Sequence, residues 1–516
     1  MTLLAWTLGA LVLLAAGSVL ALWSYGRFAR RARGAPSRVI PPGADSALDR
    51  LMAPLEAAHR GQSGAALITD PLQAFAVRLA SAQAARRSLD LLYYIWADDR
   101  TGRLLARALL QAADRGVRVR LLLDDVNVLG RDPLYLALDR HPQISVRLFN
   151  PIRARSNPFR RGIDLLFNIL RYNRRMHGKI WLADGRVAVV GGRNVGDVDF
   201  GAARGRKRNN DDCDLMLAGP VLRKVEKSFD AHWNDGLALP IAALWQKRRV
   251  RMATFRRRLE DLARTSEARA YLDRVAPLLD GPAGAPGALP AGALRWSDRL
   301  DFIADPPEKA LATGRAAWLP EALMPRLLGA RERLRIMTPY FVPGQEGLAA
   351  LTDLARAGVR VEVVTNALAV NDHIIVHGAY RWYRRALIEA GVILHEFAAR
   401  STASPRDRQA RRMLHGKCFI VDDRLGFVGS FNFDMRSAFL NTEMGVVFQD
   451  PALLAELAAH LDWAMAPDQA YRLSLDGPLM GWARGPHDPV HLEPDSGPTR
   501  RALSFVIGHL PVHRLL

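Results

Sequence analysis

Hydrophobic and polar positions alternate in three rhythms along the chain. The first is an unbroken apolar run: residues 2–26 carry no charge, a stretch long enough to cross a bilayer as a helix. The second switches between helical and strand periods. AFAVRLASAQAARRS predicts a helix, LDLLYYIW (89–96) a buried strand, GRLLARALLQAADRG a helix and VRVRLLLDD the next strand. Such a βαβ unit implies a mostly parallel sheet covered by helices. The same order returns in ERLRIMTPYFVPG (332–344), GLAALTDLARAG and VRVEVVTNAL. Gly116 and Gly358 end the two equivalent helices, where a left-handed residue is favoured. Whole α/β domains are therefore duplicated.

The third rhythm is a pair of short apolar strands interrupted by polar residues at fixed places, and it occurs twice. HGKIWLADGRVAVVGGRN runs from His177 to Asn194, and HGKCFIVDDRLGFVGSFN from His415 to Asn432. Asp-Gly and Asp-Asp mark the turns between the strands. His177, Lys179, Asp184, Gly191 and Asn194 match His415, Lys417, Asp422, Gly429 and Asn432 without a gap. Residues two apart in a strand share a face, so each His points the same way as its Lys. Two copies supply two imidazoles, two fixed cations and two amides, enough to hold a phosphodiester and move protons on both sides of it.

These rhythms divide the chain into an anchor (1–26), a proline-bearing linker giving way to helix (27–60), a first domain (61–280), a Pro/Gly/Ala-rich linker (281–294), a second domain (295–470) and a tail (471–516). A formal charge of +20 calls for a polyanionic partner, nucleic acid or an anionic membrane surface. The anchor selects the membrane. Trp6, Trp23 and Tyr25 stand near its ends, and Arg27, Arg30, Arg31, Arg33 and Arg38 follow at once. The positive-inside rule then puts both domains in the cytoplasm. A cleaved signal peptide with Val19 and Ala21 before the cut is the competing reading, disfavoured by an uncharged start and the arginines after the run. Cys213 and Cys418 are the only cysteines and have no metal-type spacing.

Just before the first motif, Phe159, Ile163, Leu166, Phe167 and Leu170 recur at helical spacing among Arg160, Arg161, Arg171, Arg174 and Arg175. Either the stripe lies in an anionic headgroup layer, or it packs into the core with a solvated basic end. His373 and His377 are four apart, but no third ligand is evident, and no metal or cofactor is called for. His377 is expected to line the pocket.

The chemistry follows from residue types. One imidazole attacks phosphorus while its partner donates a proton to the leaving alcohol and then takes one from the incoming alcohol. Lys179, Lys417, Asn194 and Asn432 stabilise the non-bridging oxygens, with Ser430 and Gly192 beside the phosphate. Glu443, at the start of a further strand, and Asp212 or Asp214, at the equivalent place in the first half, are the carboxylates expected to orient the imidazoles. Asp184 and Asp422 belong to the signature, but structural hydrogen bonds suit them better than proton transfer.

The doubled HxK…D…G(G/S)xxN pattern resembles the HKD signature of the phospholipase D superfamily. GGRNVGDVDF, NRRMHGK, TPYFVPG, VHGAYRWYR, the second motif and the tail ending in Leu510-Pro511 narrow the resemblance to bacterial cardiolipin synthases, nearest their C-type. That resemblance implies two phospholipase D-type α/β/α domains forming one pseudo-twofold catalytic unit. It also implies phosphatidyl transfer through a phosphohistidine, with His177 as nucleophile and His415 as acid and base. The implied substrates are phosphatidylethanolamine or phosphatidylglycerol as donor and phosphatidylglycerol as acceptor, at the bacterial inner membrane. A hydrolytic phospholipase D and, further off, a nuclease remain alternatives; stacking surfaces for single strands are not concentrated here. A small accessory protein is left open.

Overall fold

A computed structural model describes residues 2–155, 157–205, 207–245, 251–280, 288–399, 412–485 and 488–509. Two nine-stranded sheets dominate it. The first runs, edge to edge, Arg295–Ser297, Ser63–Ile68, Asp214–Ala218, Val187–Gly191, Ile180–Ala183, Ser88–Tyr93, Arg118–Asp124, Ile144–Phe149 and Ala238–Pro240. The second runs Leu300–Ala304, Met444–Phe448, Leu425–Gly429, Cys418–Val421, Arg333–Met337, Arg360–Asn366, Ile393–Phe397, Ala470–Asp476 and Leu479–Ala483. Leaving out one edge strand of each, the two orders superpose strand for strand, so the duplication extends to topology.

Neither sheet is mostly parallel. Ser88–Tyr93, Arg118–Asp124 and Ile144–Phe149 run parallel, as do their counterparts in the second sheet, because helices connect them. The motif strands instead turn back on themselves at Asp184-Gly185 and Asp422-Asp423, with positive φ at both aspartates, and hairpins force antiparallel pairing. Each sheet is buried on both sides by helices and by its twin, which explains the near-continuous apolar strands.

The domain limits shift with these pairings. Arg295–Ser297 completes the first sheet, so the second unit opens at Leu300. Ala470–Asp476 and Leu479–Ala483 complete the second sheet, so the tail contributes to the second domain's framework. Helix Pro498–Gly508 packs on helix Ile374–Glu389; the closing Leu510-Pro511 and linker residues 281–287 lie outside the described residues. The proline-bearing linker is packed too: Val39 N–H donates to the Asp230 carboxylate, and helix Ala47–Ala58 buries Leu48 and Met52.

The apolar run forms one helix, Thr2–Ala32, and its Leu4–Ala32 part has a mean hydropathy of 2.1 with none of its most apolar window buried. At 1.5 Å per residue such a helix spans about 43 Å, more than a hydrocarbon core of about 30 Å. Its lower turns are held by helix Pro158–Tyr172: a Cβ on Gly17 would fall 2.4 Å from the Phe167 ring, and the Arg171 guanidinium stacks 3.4 Å from the centre of Tyr25.

Candidate active site

Both motifs meet where the two sheets face each other. Each HxK segment crosses toward the other half: His177 N–H donates to Thr442 O, and His415 N–H to Asp211 O. The glycine between His and Lys makes this fit. A Cβ on Gly178 would strike the Met444 side chain at 2.1 Å, and one on Gly416 the Met337 sulfur at 2.7 Å.

The two imidazoles are held by carboxylates exchanged between the halves. His177 Nδ1 lies 2.9 Å from Glu443 Oε2, and His415 Nδ1 lies 2.5 Å from Asp212 Oδ2. An ionised carboxylate only accepts, so each Nδ1 carries the hydrogen and each Nε2 is left for chemistry. Glu443 also accepts from Ser430 Oγ at 2.5 Å and Ser437 Oγ at 2.8 Å. The edge of the His177 ring packs on Tyr94. Lys179 Nζ donates to the His177 carbonyl, while Lys417 Nζ donates to the His415 carbonyl and sits 3.0 Å from that ring's Nδ1.

Electrostatics make the half-sites unequal. Burial, reinforced by the Lys179 and Lys417 ammonium groups, holds His177 well below the usual imidazole range, so it is neutral. Burial raises Glu443 against the pull of Lys179. Burial also pushes Asp212 up, but the Lys417 and His415 charges outweigh it and leave that carboxyl below its ordinary value. Lys179 is drawn down to about 7 by burial and by Lys417; burial lowers Lys417 too.

Above the histidines opens a cavity of about 810 Å³, lined by His177, His415, Asn194 and Asn432. Asn194 Oδ1 accepts from Ile95 N–H at 3.2 Å, which turns its amide donor toward the cavity. Asp199, Lys207, Tyr340, His373 and Arg436 also line it. The sequence reading passed over them, although Asp199 lies in GDVDF and Tyr340 in TPYFVPG, two of the segments that carried the resemblance.

Several candidate residues lie elsewhere. Asp214 pairs with Arg78 at 2.9 Å and receives Arg193 N–H. Register explains it: Asp214 faces Gly191 as Gly445 faces Gly429, so Asp212 is the counterpart of Glu443. Ser430 serves Glu443 and accepts from Met444 N–H, turned away from the cavity. At Gly192 a Cβ would fall 2.1 Å from Asp212 Oδ1, so the carboxylate fills the space a serine there would need. Asp184 and Asp422 touch neither imidazole. Asp184 accepts the N–H groups of Arg86, Arg87 and Ser88, and Asp422 those of Arg331, Glu332 and Arg333. His377 is buried outside the cavity: it bonds Ser504 at 3.0 Å, and Arg384 occupies the centre of the His377, Glu396 and Glu493 cluster.

Paired imidazole-lysine half-sites on duplicated sheets define a phospholipase D-type centre, one that transfers phosphoryl groups without needing more than its own side chains. The family profile described as "Cardiolipin synthase, PLD-like domain" matches residues 78–233 and 323–465, and the chain belongs to that family. It is 38% identical over 431 residues to cardiolipin synthase C of Escherichia coli (strain K12), covering 82% of this chain and 89% of that one. It is 27% identical to cardiolipin synthase A of Yersinia pseudotuberculosis serotype O:3, over 78% of this chain and 68% of the other. Among solved structures, phosphatidylserine synthase of Haemophilus influenzae Rd KW20 shares the fold, with a TM-score of 0.58 at 13% identity over 91% of this chain and 98% of that one. The chain is thus a phosphatidyltransferase of the phospholipase D superfamily, associated with membranes.

Proposed function

We propose that the enzyme makes cardiolipin by moving a phosphatidyl group from phosphatidylethanolamine, or from a first phosphatidylglycerol, to the headgroup hydroxyl of phosphatidylglycerol. The observation that carries this reading is the pair of imidazoles, each held at Nδ1 by the other half's carboxylate over one cavity. Neutral His177 attacks phosphorus through Nε2, and the bond to the headgroup oxygen breaks. His415, whose protonated form the ionised Asp212 favours, gives the departing oxygen its proton. In the second step His415 takes the acceptor's proton, the new oxygen attacks, and the phosphorus–nitrogen bond breaks to restore His177. Lys179, Lys417, Asn194 and Asn432 receive the charge that builds on the non-bridging oxygens.

The substrate surface is an anionic membrane. Helix Pro158–Tyr172 is inverted, burying Asn168, Arg171 and Tyr172 and exposing Phe159, Ile163, Leu166, Ile169 and Leu170, with Leu170 at 85%. Asp164 draws the polar side inward through Tyr172 and Asn168, which favours the headgroup-layer reading over core packing. Together with the anchor helix this suggests a single-pass inner-membrane protein with cytoplasmic catalytic domains. Purified enzyme given each headgroup-labelled donor separately should release ethanolamine or glycerol in step with cardiolipin. Phosphatidic acid as the main product would make water the acceptor and overturn the transferase reading.

A further inference from the structure

A second cavity, of about 340 Å³, lies beside the catalytic one and differs from it in character. Its walls are Trp318, Met324, Ala350, Phe431, Phe433 and Phe439, joined by further apolar residues. Two features tie it to the active site. Asp434 lines both cavities. Phe431 and Phe433 flank Asn432 in sequence, so the backbone that presents the Asn432 amide to the phosphate site presents two aromatic rings to the apolar one. A third tie runs to the membrane side. The short helix Met435–Phe439, which forms one wall, is stapled to the end of the exposed amphipathic helix. Arg436 donates to Asn173 Oδ1 at 2.6 Å, and Arg174 donates to the Phe439 carbonyl at 3.1 Å.

From this arrangement we infer that the apolar cavity holds an acyl chain of a glycerophospholipid while its phosphate lies between His177 and His415. The inference rests on the phospholipid-transfer reading and gives it a place for the hydrophobic end of the substrate. A water-soluble phosphodiester would have no use for an aromatic pocket opening beside the phosphate site. A lipid lifted partly out of the bilayer must keep its chain covered, because each methylene exposed to water weakens binding about fourfold. Packing leaves the room deliberately at Gly347, on the helix Gly344–Arg356, where a Cβ would press on Pro343 at 2.9 Å and on Phe433 at 3.5 Å. At the mouth, the Arg315 guanidinium lies 5.5 Å from the centre of Phe439 and pairs with Glu321, so the entrance is polar and the interior is not. Donor and acceptor both carry such chains, and the probes below tell them apart.

The test is a photolabel. Phosphatidylethanolamine and phosphatidylglycerol, each carrying a diazirine within one acyl chain, are supplied in separate vesicle preparations to the intact enzyme, irradiated and mapped by mass spectrometry. Cross-links to residues 318–328, 344–356 or 431–439 from either lipid are expected, and the lipid that gives them is the one seated there. Cross-links confined to the helices at 2–32 and 158–172 from both lipids would overturn the inference. Because labelling needs no turnover, it stands or falls separately from the transferase reading. Activity supplies the second arm. Ala350→Trp and Met324→Trp, placed on different helices, should lower kcat/KM by about 15-fold for a dioleoyl donor, as for two displaced methylenes. For a donor with four-carbon chains the loss should stay under threefold. Equal losses on both donors, or no loss on either, would contradict an acyl-chain site.

Discussion

Replacing Glu443 with Gln removes one charge and changes almost no volume, so its effect reports what the carboxylate does for His177. In the native site Oε2 accepts from His177 Nδ1 at 2.9 Å, and the two serine hydroxyls fix the carboxylate itself. A glutamine keeps the shape but can turn a donor toward Nδ1. The ring would then carry its hydrogen on Nε2, the nitrogen that must attack. A hydrogen bond to a charged group contributes about 1.5–3 kcal/mol. At 1.36 kcal/mol per tenfold, kcat/KM should fall about 10- to 150-fold. The assay is cardiolipin formed in phosphatidylglycerol vesicles by purified variants of matched thermal stability. His177→Ala, by contrast, should remove activity altogether. A Glu443→Gln loss below threefold, or a raised KM with kcat intact, would refute the idea that Glu443 sets the reactive tautomer.

The low proton affinity of Lys179 predicts that kcat/KM falls as pH rises through about 7, since the ammonium that binds phosphate is then lost. Lys179→Arg should move that alkaline limb upward, because a guanidinium stays charged; a flat profile from pH 6 to 9 in the native enzyme would contradict it. Asp184→Ala should cost about 1–3 kcal/mol of stability, read by denaturant unfolding, because it orphans N–H groups that include the buried Ser88. The folded fraction should keep its kcat, and a selective loss of kcat would return Asp184 to the chemistry. Leu166→Glu with Leu170→Glu should slow turnover on vesicles more than in mixed micelles, and equal slowing would argue against a membrane role for that face. Excess chelator should leave activity intact, because lysine and asparagine side chains occupy the charge-stabilising places; loss restored by Zn²⁺ or Mg²⁺ would contradict this.

The duplicated fold was legible because its signals were local and doubled. Helix and strand periods, the C-cap glycines and the motif hairpins each point to the structure they form. The sheet's mixed direction was less legible, since a parallel βαβ unit and a hairpin differ only in what joins the strands. At the site, the HxK residues could be read from spacing, whereas the partners of the imidazoles could not. Glu443 lies 28 residues after His415 yet serves His177, because the halves exchange carboxylates across a contact no sequence interval records. Asp212 and Asp214 look alike in NDDCDL, and only the pairing of Asp214 with Gly191 separates them. The role of Ser430 was misread for a related reason: its hydroxyl supports Glu443 from behind. Whether the stripe at 159–170 faced core or lipid depended on where Asp164, Asn168 and Arg171 found partners, a tertiary fact.

The most direct test of the two-histidine account is the covalent intermediate itself. Enzyme turning over a phosphatidyl donor is quenched under mildly alkaline conditions, where phosphohistidine survives, digested and analysed by mass spectrometry. A phosphatidyl adduct on the peptide containing His177, absent in His177→Ala, is the predicted result. With a donor whose leaving group needs no proton, His415→Ala should still form that adduct and then stall. An adduct on the peptide containing His415, with none on that containing His177, would contradict the assignment of the nucleophile.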